Sequence, residues 1–208
     1  MRTCLLTCLA LCLSAVAAFA QNTRDTRLLR EPATSGTHVA FLYADDLWVA
    51  RVDGTDVRRL TTDEGVESNP AFSPDGRLLA FSGFYDGNVD VFVVPAEGGI
   101  PRRLTWHPGH DLVQGFTPDG SRVLFTSSRA AFTGAYRQLY TVPVDGGLEE
   151  MLPIPTAVQA SYAPDGTRIA YSPLPPAFQQ WKQYRGGRVS RIWIYTSEIG
   201  RASCRERV

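Results

Sequence analysis

Ser73-Pro74-Asp75-Gly76, Thr117-Pro118-Asp119-Gly120 and Ala163-Pro164-Asp165-Gly166 recur with Asp-to-Asp spacings of 44 and 46 residues. That recurrence limits the fold more than any other feature of the chain. A motif repeated at a near-constant interval marks stacked supersecondary units. Its chemistry is turn chemistry. Proline pre-sets φ for the second turn position and aspartate suits the third. Glycine accepts the left-handed backbone that a three-residue hairpin requires. Pro74, Asp75, Gly76, Pro118, Asp119, Gly120, Pro164, Asp165 and Gly166 are therefore read as structural turn formers, and the three aspartates as turn residues, not as acids.

Each copy is followed by an apolar strand: Leu78–Phe81, Val123–Phe125 and Ile169–Tyr171. A third strand comes next, at Leu47–Val49, Val91–Val94, Leu139–Val142 and Ile192–Tyr195. These runs are apolar on both faces, as strands packed between neighbouring sheets should be. Glycine turns at Asp53-Gly54, Gly98-Gly99 and Gly146-Gly147 lead to a fourth strand: Val57–Thr61, Arg102–Thr105 and Glu149–Leu152. A degenerate first copy opens at Gly36 with Val39-Ala40-Phe41. Four short strands in each repeat of a little over 40 residues is the signature of propeller blades. The expected fold is all-β: a β-propeller of four-stranded antiparallel blades, with three full blades and part of a fourth. Propellers close with about four to eight blades, so residues 36–195 read as an incomplete propeller, truncated inside its fourth blade, and residues 21–35 as a lead-in.

Residues 1–20 read as a signal peptide. Arg2 supplies a positive n-region, Leu5–Ala18 an apolar stretch, and Ala18 and Ala20 the small residues a signal peptidase requires, with cleavage before Gln21. The expected location is periplasmic or secreted, with no stable membrane span after cleavage. Cys4, Cys8 and Cys12 leave with the leader, so only Cys204 remains and no disulfide framework is expected. The domain must rely on its core, for which 44% hydrophobic content is sufficient. Twenty-one basic and 21 acidic residues give no global pull towards nucleic acid, and none is expected as a partner. Residues 196–208 are read as a non-native tail. Glu198–Val208 back-translates to a string resembling read-through into a common sequencing adapter, and the apolar pattern stops at Tyr195.

Candidate chemistry is sparse. There is no Gly-x-Ser-x-Gly elbow. His38 opens a strand. His107-Pro108-Gly109-His110-Asp111 is the best metal-like cluster, but it lies on a loop with no evident further ligand, and an ordinary inter-blade loop explains it better. Asp45-Asp46, Asp63-Glu64 and Glu67 read as solvated loop charge, because calcium requires ligands spaced round a glycine-containing loop. No catalytic, cofactor-binding or metal residue is assigned. Trp181, Lys182, Tyr184, Arg185 and Arg188, with Arg191, form an aromatic and basic stretch. It reads as a rim loop, and as a candidate contact for peptide carboxylates or a neighbouring domain.

The Pro-Asp-Gly blade repeat is similar to that of TolB-like propellers. Longer strings resemble something narrower, the N-terminal propeller of bacterial tricorn-type serine proteases. They are Asp46–Val49, Tyr85–Val91, Val94–Gly99 running into Pro101–Thr105, Leu139–Pro143 and Trp181–Gly187. The resemblance covers about residues 27–195. It implies a scaffold that gates or channels peptides, followed in the family by a second propeller, a PDZ-like module and catalytic domains. The implied partners are peptides, the remaining domains of the parent and, through the parent, further copies. Two other readings stay open: a TolB-like periplasmic interaction module, and a propeller fused to a metal-dependent amidohydrolase.

Overall fold

A computed structural model describes residues 29–131, 136–175 and 191–196, and the backbone of Arg201–Cys204. It contains sixteen strands in four antiparallel sheets. The first sheet is β1 (Arg30–Thr34), β2 (His38–Tyr43), β3 (Asp46–Arg51) and β4 (Arg58–Arg59). The second is β5 (Val66–Phe72), β6 (Leu78–Tyr85), β7 (Asn88–Pro95) and β8 (Arg102–Arg103). The third is β9 (Asp111–Phe116), β10 (Arg122–Ser127), β11 (Gln138–Pro143) and β12 (Glu150–Met151). The fourth is β13 (Gln159–Tyr162), β14 (Arg168–Ser172), β15 (Trp193–Thr196) and β16 (Arg201–Cys204). In every sheet each strand pairs with its sequence neighbour, which is the up-and-down order of a propeller blade.

Two boundaries differ from the sequence reading. The first sheet begins inside the lead-in, where Ala33 pairs with Ala40 and Thr34 with Val39. The fourth sheet has a fourth strand in the segment set apart as a tail, with Thr196 paired to Arg201 and Trp193 to Cys204. A strand edge offers unpaired N–H and C=O groups to any extended segment, so backbone pairing there demands little of the sequence that supplies it.

The blades stack face to face, and side-chain alternation shows how. Leu79 and Phe81 of β6, with Phe92 and Val94 of β7, pack against Ala40, Leu42, Leu47, Val49 and Leu60 of the first blade. Their neighbours Ala80, Val91 and Val93 point the other way and meet Val113, Phe116, Val123, Phe125, Tyr140 and Val142 of the third. Leu124 and Leu139 leave the far side of the third blade to meet Ile169, Tyr171 and Tyr195, with Ile154 and Ala157 of the connecting link filling the seam. The period of two puts successive residues on opposite faces, so a strand buried on both faces reads as a continuous apolar run.

The Pro-Asp-Gly turns join the first and second strands of blades two, three and four. The amide of Ser73 donates to Leu78 O at 2.9 Å and that of Gly76 to Ser73 O at 2.8 Å, with Gly76 at φ +72°. The loop from Pro74 to Arg77 has four residues, one more than the hairpin expected from sequence. Asp75 explains the extra one: its Oδ1 accepts from Ser73 Oγ at 2.6 Å and from the Arg77 amide at 3.1 Å. Asp119 and Asp165 accept in the same way from Ser121 and Thr167.

The outermost strands of the first three sheets are shorter than the sequence pattern, with two paired residues each. The chain then turns inward. Leu60, Leu104 and Leu152 donate their amides to Leu47 O, Val91 O and Leu139 O at 2.7, 2.8 and 2.9 Å. Burying these leucines gains more than extending an exposed edge.

Two substitutions measure these elements. Gly76→Ala forces a left-handed residue and brings a Cβ to 3.1 Å from Ser35 Cβ, so urea melts should show a loss of about 1–2 kcal/mol. Phe125→Ala opens a cavity at a fully buried ring and should cost about 3–5 kcal/mol.

Candidate functional site

Antiparallel blades place the β2–β3 and β6–β7 hairpins at the same end as the links into β5 and β9. Both hairpins are tight turns with two left-handed residues: Ala44 and Asp45 at φ +52° and +67°, Asp86 and Gly87 at +53° and +81°. This end carries exposed Tyr43, Val66, Phe84 and Trp106. A cavity of about 380 Å³ lies among them, lined by Asp63, Glu64, Tyr85, Asp86, Phe92 and Arg103. The Tyr85 ring meets Phe92 edge-on at 4.9 Å, and the Arg103 guanidinium lies 5.9 Å from the Trp106 ring. The opposite end holds the Pro-Asp-Gly and Gly-Gly turns, and bears less chemistry.

Behind the cavity runs a polar layer that recurs from blade to blade. Arg103 donates to Asp90 Oδ2 at 2.6 Å and through Nε to Thr105 O at 2.8 Å. Thr105 Oγ1 accepts the Val91 amide at 3.0 Å and donates to Asp90 Oδ1 at 3.2 Å. The first blade repeats this set: Arg59 to Asp46 at 2.7 Å and to Thr61 O at 2.7 Å, and the Leu47 amide to Thr61 Oγ1 at 2.8 Å. A second acid follows each set at the start of the next inner strand. Asp111 accepts from Arg129 at 2.6 Å, and Glu67 accepts from the Tyr85 hydroxyl. The Arg129 guanidinium also stacks on Phe125 and Tyr140, at 5.3 and 5.0 Å.

Burial governs the electrostatics of this layer. Glu67, Asp90 and Asp111 are each at most 1% exposed. Burial pushes the carboxyls of Glu67, Asp90 and Asp111 above the ordinary range, and for the two aspartates it does so against the pull of Arg103 and Arg129. Burial, reinforced by the Glu67 carboxylate, lifts the Tyr85 phenol upwards as well. The turn aspartates go the other way. Hydrogen bonds from Thr117 and Ser121 hold Asp119 down to about 2, and bonds from Ser73 and Thr167 lower Asp75 and Asp165. These turn bonds strengthen the fold above the ordinary carboxylate range and weaken as pH falls through it.

The sequence candidates fall in different places. Ala18 and Ala20 of the leader, and Trp181, Lys182, Tyr184, Arg185 and Arg188 of the rim stretch, lie outside the described residues. His107 Nδ1 accepts the Gly109 amide at 2.9 Å, while Asp111 turns inward to Arg129, so the His-His-Asp string does not converge. His38 makes a local turn contact with Thr37 at 3.0 Å. The acidic set divides. Asp63 and Glu64 are exposed, but Glu67 is fully buried and the Asp46 side chain is only 13% exposed. Reading these two as solvated charge is therefore corrected: Asp46 is held by Arg59 of its own blade, and Glu67, at the start of an inner strand, is sealed by the blade before it. The signal that finds them is the repeat itself. An offset of 44 residues places Asp46 on Asp90, Arg59 on Arg103, Thr61 on Thr105 and Glu67 on Asp111.

Comparison with known proteins agrees with this architecture. The family model described as the tricorn protease N-terminal beta propeller domain matches residues 26–205. Tricorn protease homolog 1 of Streptomyces coelicolor is 35% identical over 172 residues, covering 83% of this chain and 16% of the relative. A tricorn-like protease N-terminal subunit of Sulfurisphaera tokodaii is 27% identical over 169 residues, covering 78% of this chain and 84% of that subunit. The crystal structure of the tricorn protease superposes with a TM-score of 0.72 at 27% identity, over 85% of this chain and 18% of that one. The chain thus spans under a fifth of the Streptomyces relative and most of the Sulfurisphaera subunit.

Removing one partner of a buried pair leaves the other charge stranded. Asp90→Ala, which strands Arg103 against a site only 1% exposed, should cost about 3–5 kcal/mol in chemical denaturation. Asp46→Ala, whose Arg59 is 42% exposed, should cost about 1 kcal/mol.

Proposed function

Since the chain belongs to the tricorn protease N-terminal β-propeller family, we propose that it is the propeller part of an exported tricorn-like serine peptidase. In this reading it is a scaffold whose inner strands flank a passage for peptides, and hydrolysis belongs to catalytic domains outside these 208 residues. The observation that carries it is the family match over residues 26–205, on a stack of four blades whose inner strands β1, β5, β9 and β13 adjoin one another in order.

The residues support recognition and passage, not bond cleavage. Ser68, Asn69, Gln159 and Ser161 on the inner strands are uncharged and polar, and at least partly exposed, which suits an extended peptide backbone, beside the exposed Arg30 and Glu31 of β1. The aromatic and acidic rim, with Tyr43, Phe84, Trp106, Asp63 and Glu64 in the open, stands where a peptide or a second domain would first make contact. The basic stretch Trp181–Arg191 is a further contact in this reading, and residues 1–20 are an export leader removed after Ala20. The Sulfurisphaera relative supports a variant of the same function in which the propeller is a separate subunit that meets its catalytic partner after synthesis.

The test uses the native source. The protein is isolated from periplasm or medium through an antibody to the propeller, and the material is treated with a serine-reactive fluorophosphonate probe. A labelled polypeptide, either the same chain or one that co-purifies, together with an N-terminus at Gln21, is the expected result. Material that carries the propeller but never a labelled serine enzyme would overturn the peptidase reading, and an uncleaved N-terminus the exported one.

A further inference from the structure

The first two blade junctions are built alike but neutralised differently. In the second, two buried acids meet two guanidiniums: Asp90 with Arg103 and Asp111 with Arg129, each at 2.6 Å. In the first, Asp46 is paired with Arg59 at 2.7 Å, but Glu67 has no arginine. The 44-residue offset that aligns Glu67 with Asp111 puts Tyr85 where the third blade has Arg129. The Tyr85 ring meets Phe92 edge-on at 4.9 Å, and the Arg129 guanidinium sits over Tyr140 at 5.0 Å. A neutral phenol therefore fills the place of a cation.

Charge counting then makes Glu67 the odd group. It faces Asp46 of β3, Thr61 of the link into β5 and Tyr85 of β6, with Asp63 beyond the phenol. The nearby guanidiniums are engaged elsewhere: Arg59 is held by Asp46 and Thr61 O, and Arg103, which lines the cavity with Tyr85 and Asp63, by Asp90 and Thr105 O. Glu67 Oε2 and Asp111 Oδ1 are alike in being buried with no hydrogen-bond partner, so what sets Glu67 apart is that a phenol faces it where a guanidinium faces Asp111. An ionised carboxylate there is desolvated, has a like charge beside it and has one oxygen unsatisfied, and each of these favours the neutral form. A proton is the compensating charge that the carboxyl can itself take up.

We propose that a proton on Glu67 does for the first junction what the Arg129 guanidinium does for the second, and that the first junction therefore loosens as pH rises. The direction follows from linkage. Burial lifts the Glu67 carboxyl above its ordinary range. Below that range the folded and unfolded chains are both protonated and the group contributes nothing. Between the unfolded and folded values only the folded chain holds the proton, so stability falls as pH climbs through that window and stays lower above it. The inference does not depend on the proteolytic reading, because it concerns how two blades are held together.

The experiment compares the full chain with its Glu67→Gln variant in urea melts from about pH 4 to about pH 8. Glutamine keeps the shape and the neutral state. The two proteins should coincide at the acid end. Above it the variant should be more stable, by about tenfold in the folding constant for each pH unit by which the Glu67 carboxyl is displaced. If the glutamine variant fails to fold, the side-chain carboxyl ¹³C resonance of Glu67 in the unmodified protein decides. It should titrate well above the ordinary glutamate range. Parallel melting curves, a glutamine variant that is weaker at every pH, or a Glu67 carboxyl that titrates in that ordinary range would each overturn the proposal.

Discussion

A sheet that is apolar on both faces must be covered on both, and everything else in this protein follows from that constraint. The second blade shows it most completely. Leu79 and Phe81 are covered by the first blade while Ala80, Val91 and Val93 are covered by the third. No single blade buries its own core, so order in one depends on its neighbours. Directional bonds then fix how the faces meet. At the inner edge the amides of Asn69, Val113 and Ala160 donate to Glu31, Ser82 and Gln114 of the blade before. At the outer edge Arg58 donates to Ala96 O and Arg102 to Val144 O.

The junctions are not equivalent. The first two carry the acid, arginine and threonine set. At the third, the aligned positions are Gln138, Met151, Pro153 and Val158, and the outer arginine is replaced by Glu150. Ile154 and Ala157 close that seam instead. Exchanging buried ion pairs for apolar packing need not weaken a contact. It does remove geometric instruction, because hydrogen bonds specify a register and apolar contact only an area. The rim chemistry follows the same division. The polar layers of the first two junctions lie behind Tyr85, Asp86 and Trp106, with Arg103 reaching both the rim and Asp90.

Much of the fold was legible because turns and alternation are local. Pro-Asp-Gly fixes a hairpin within a few residues, and runs such as Val91–Val94 announce two buried faces. The shortness of the outer strands was not, since it depends on Leu60 and Leu104 turning into a core that other blades complete. The site was less legible for the same reason. Asp46 looks like loop charge until Arg59 of its own blade closes on it, and Glu67 until the preceding blade seals it, and only the 44-residue offset connects them to Asp90 and Asp111. Arg129 could not be assigned to Asp111 from local pattern, because its guanidinium reaches 18 residues back along the chain. The His107–Asp111 string shows the converse. Its spacing suggests ligands, while the fold uses one member for a turn and sends another inward.

The most direct test of the stacked-blade account is hydrogen exchange at the amides of Asn69, Val113 and Ala160. None of them is held by its own sheet ladder alone, since each donates to a side chain of the preceding blade. If the blades form one stack, all three should exchange as slowly as the core amides of Phe81 and Phe125, through the same cooperative opening. Exchange as rapid as that of the exposed turn amides would mean that the blades fold side by side without engaging, and would contradict the account.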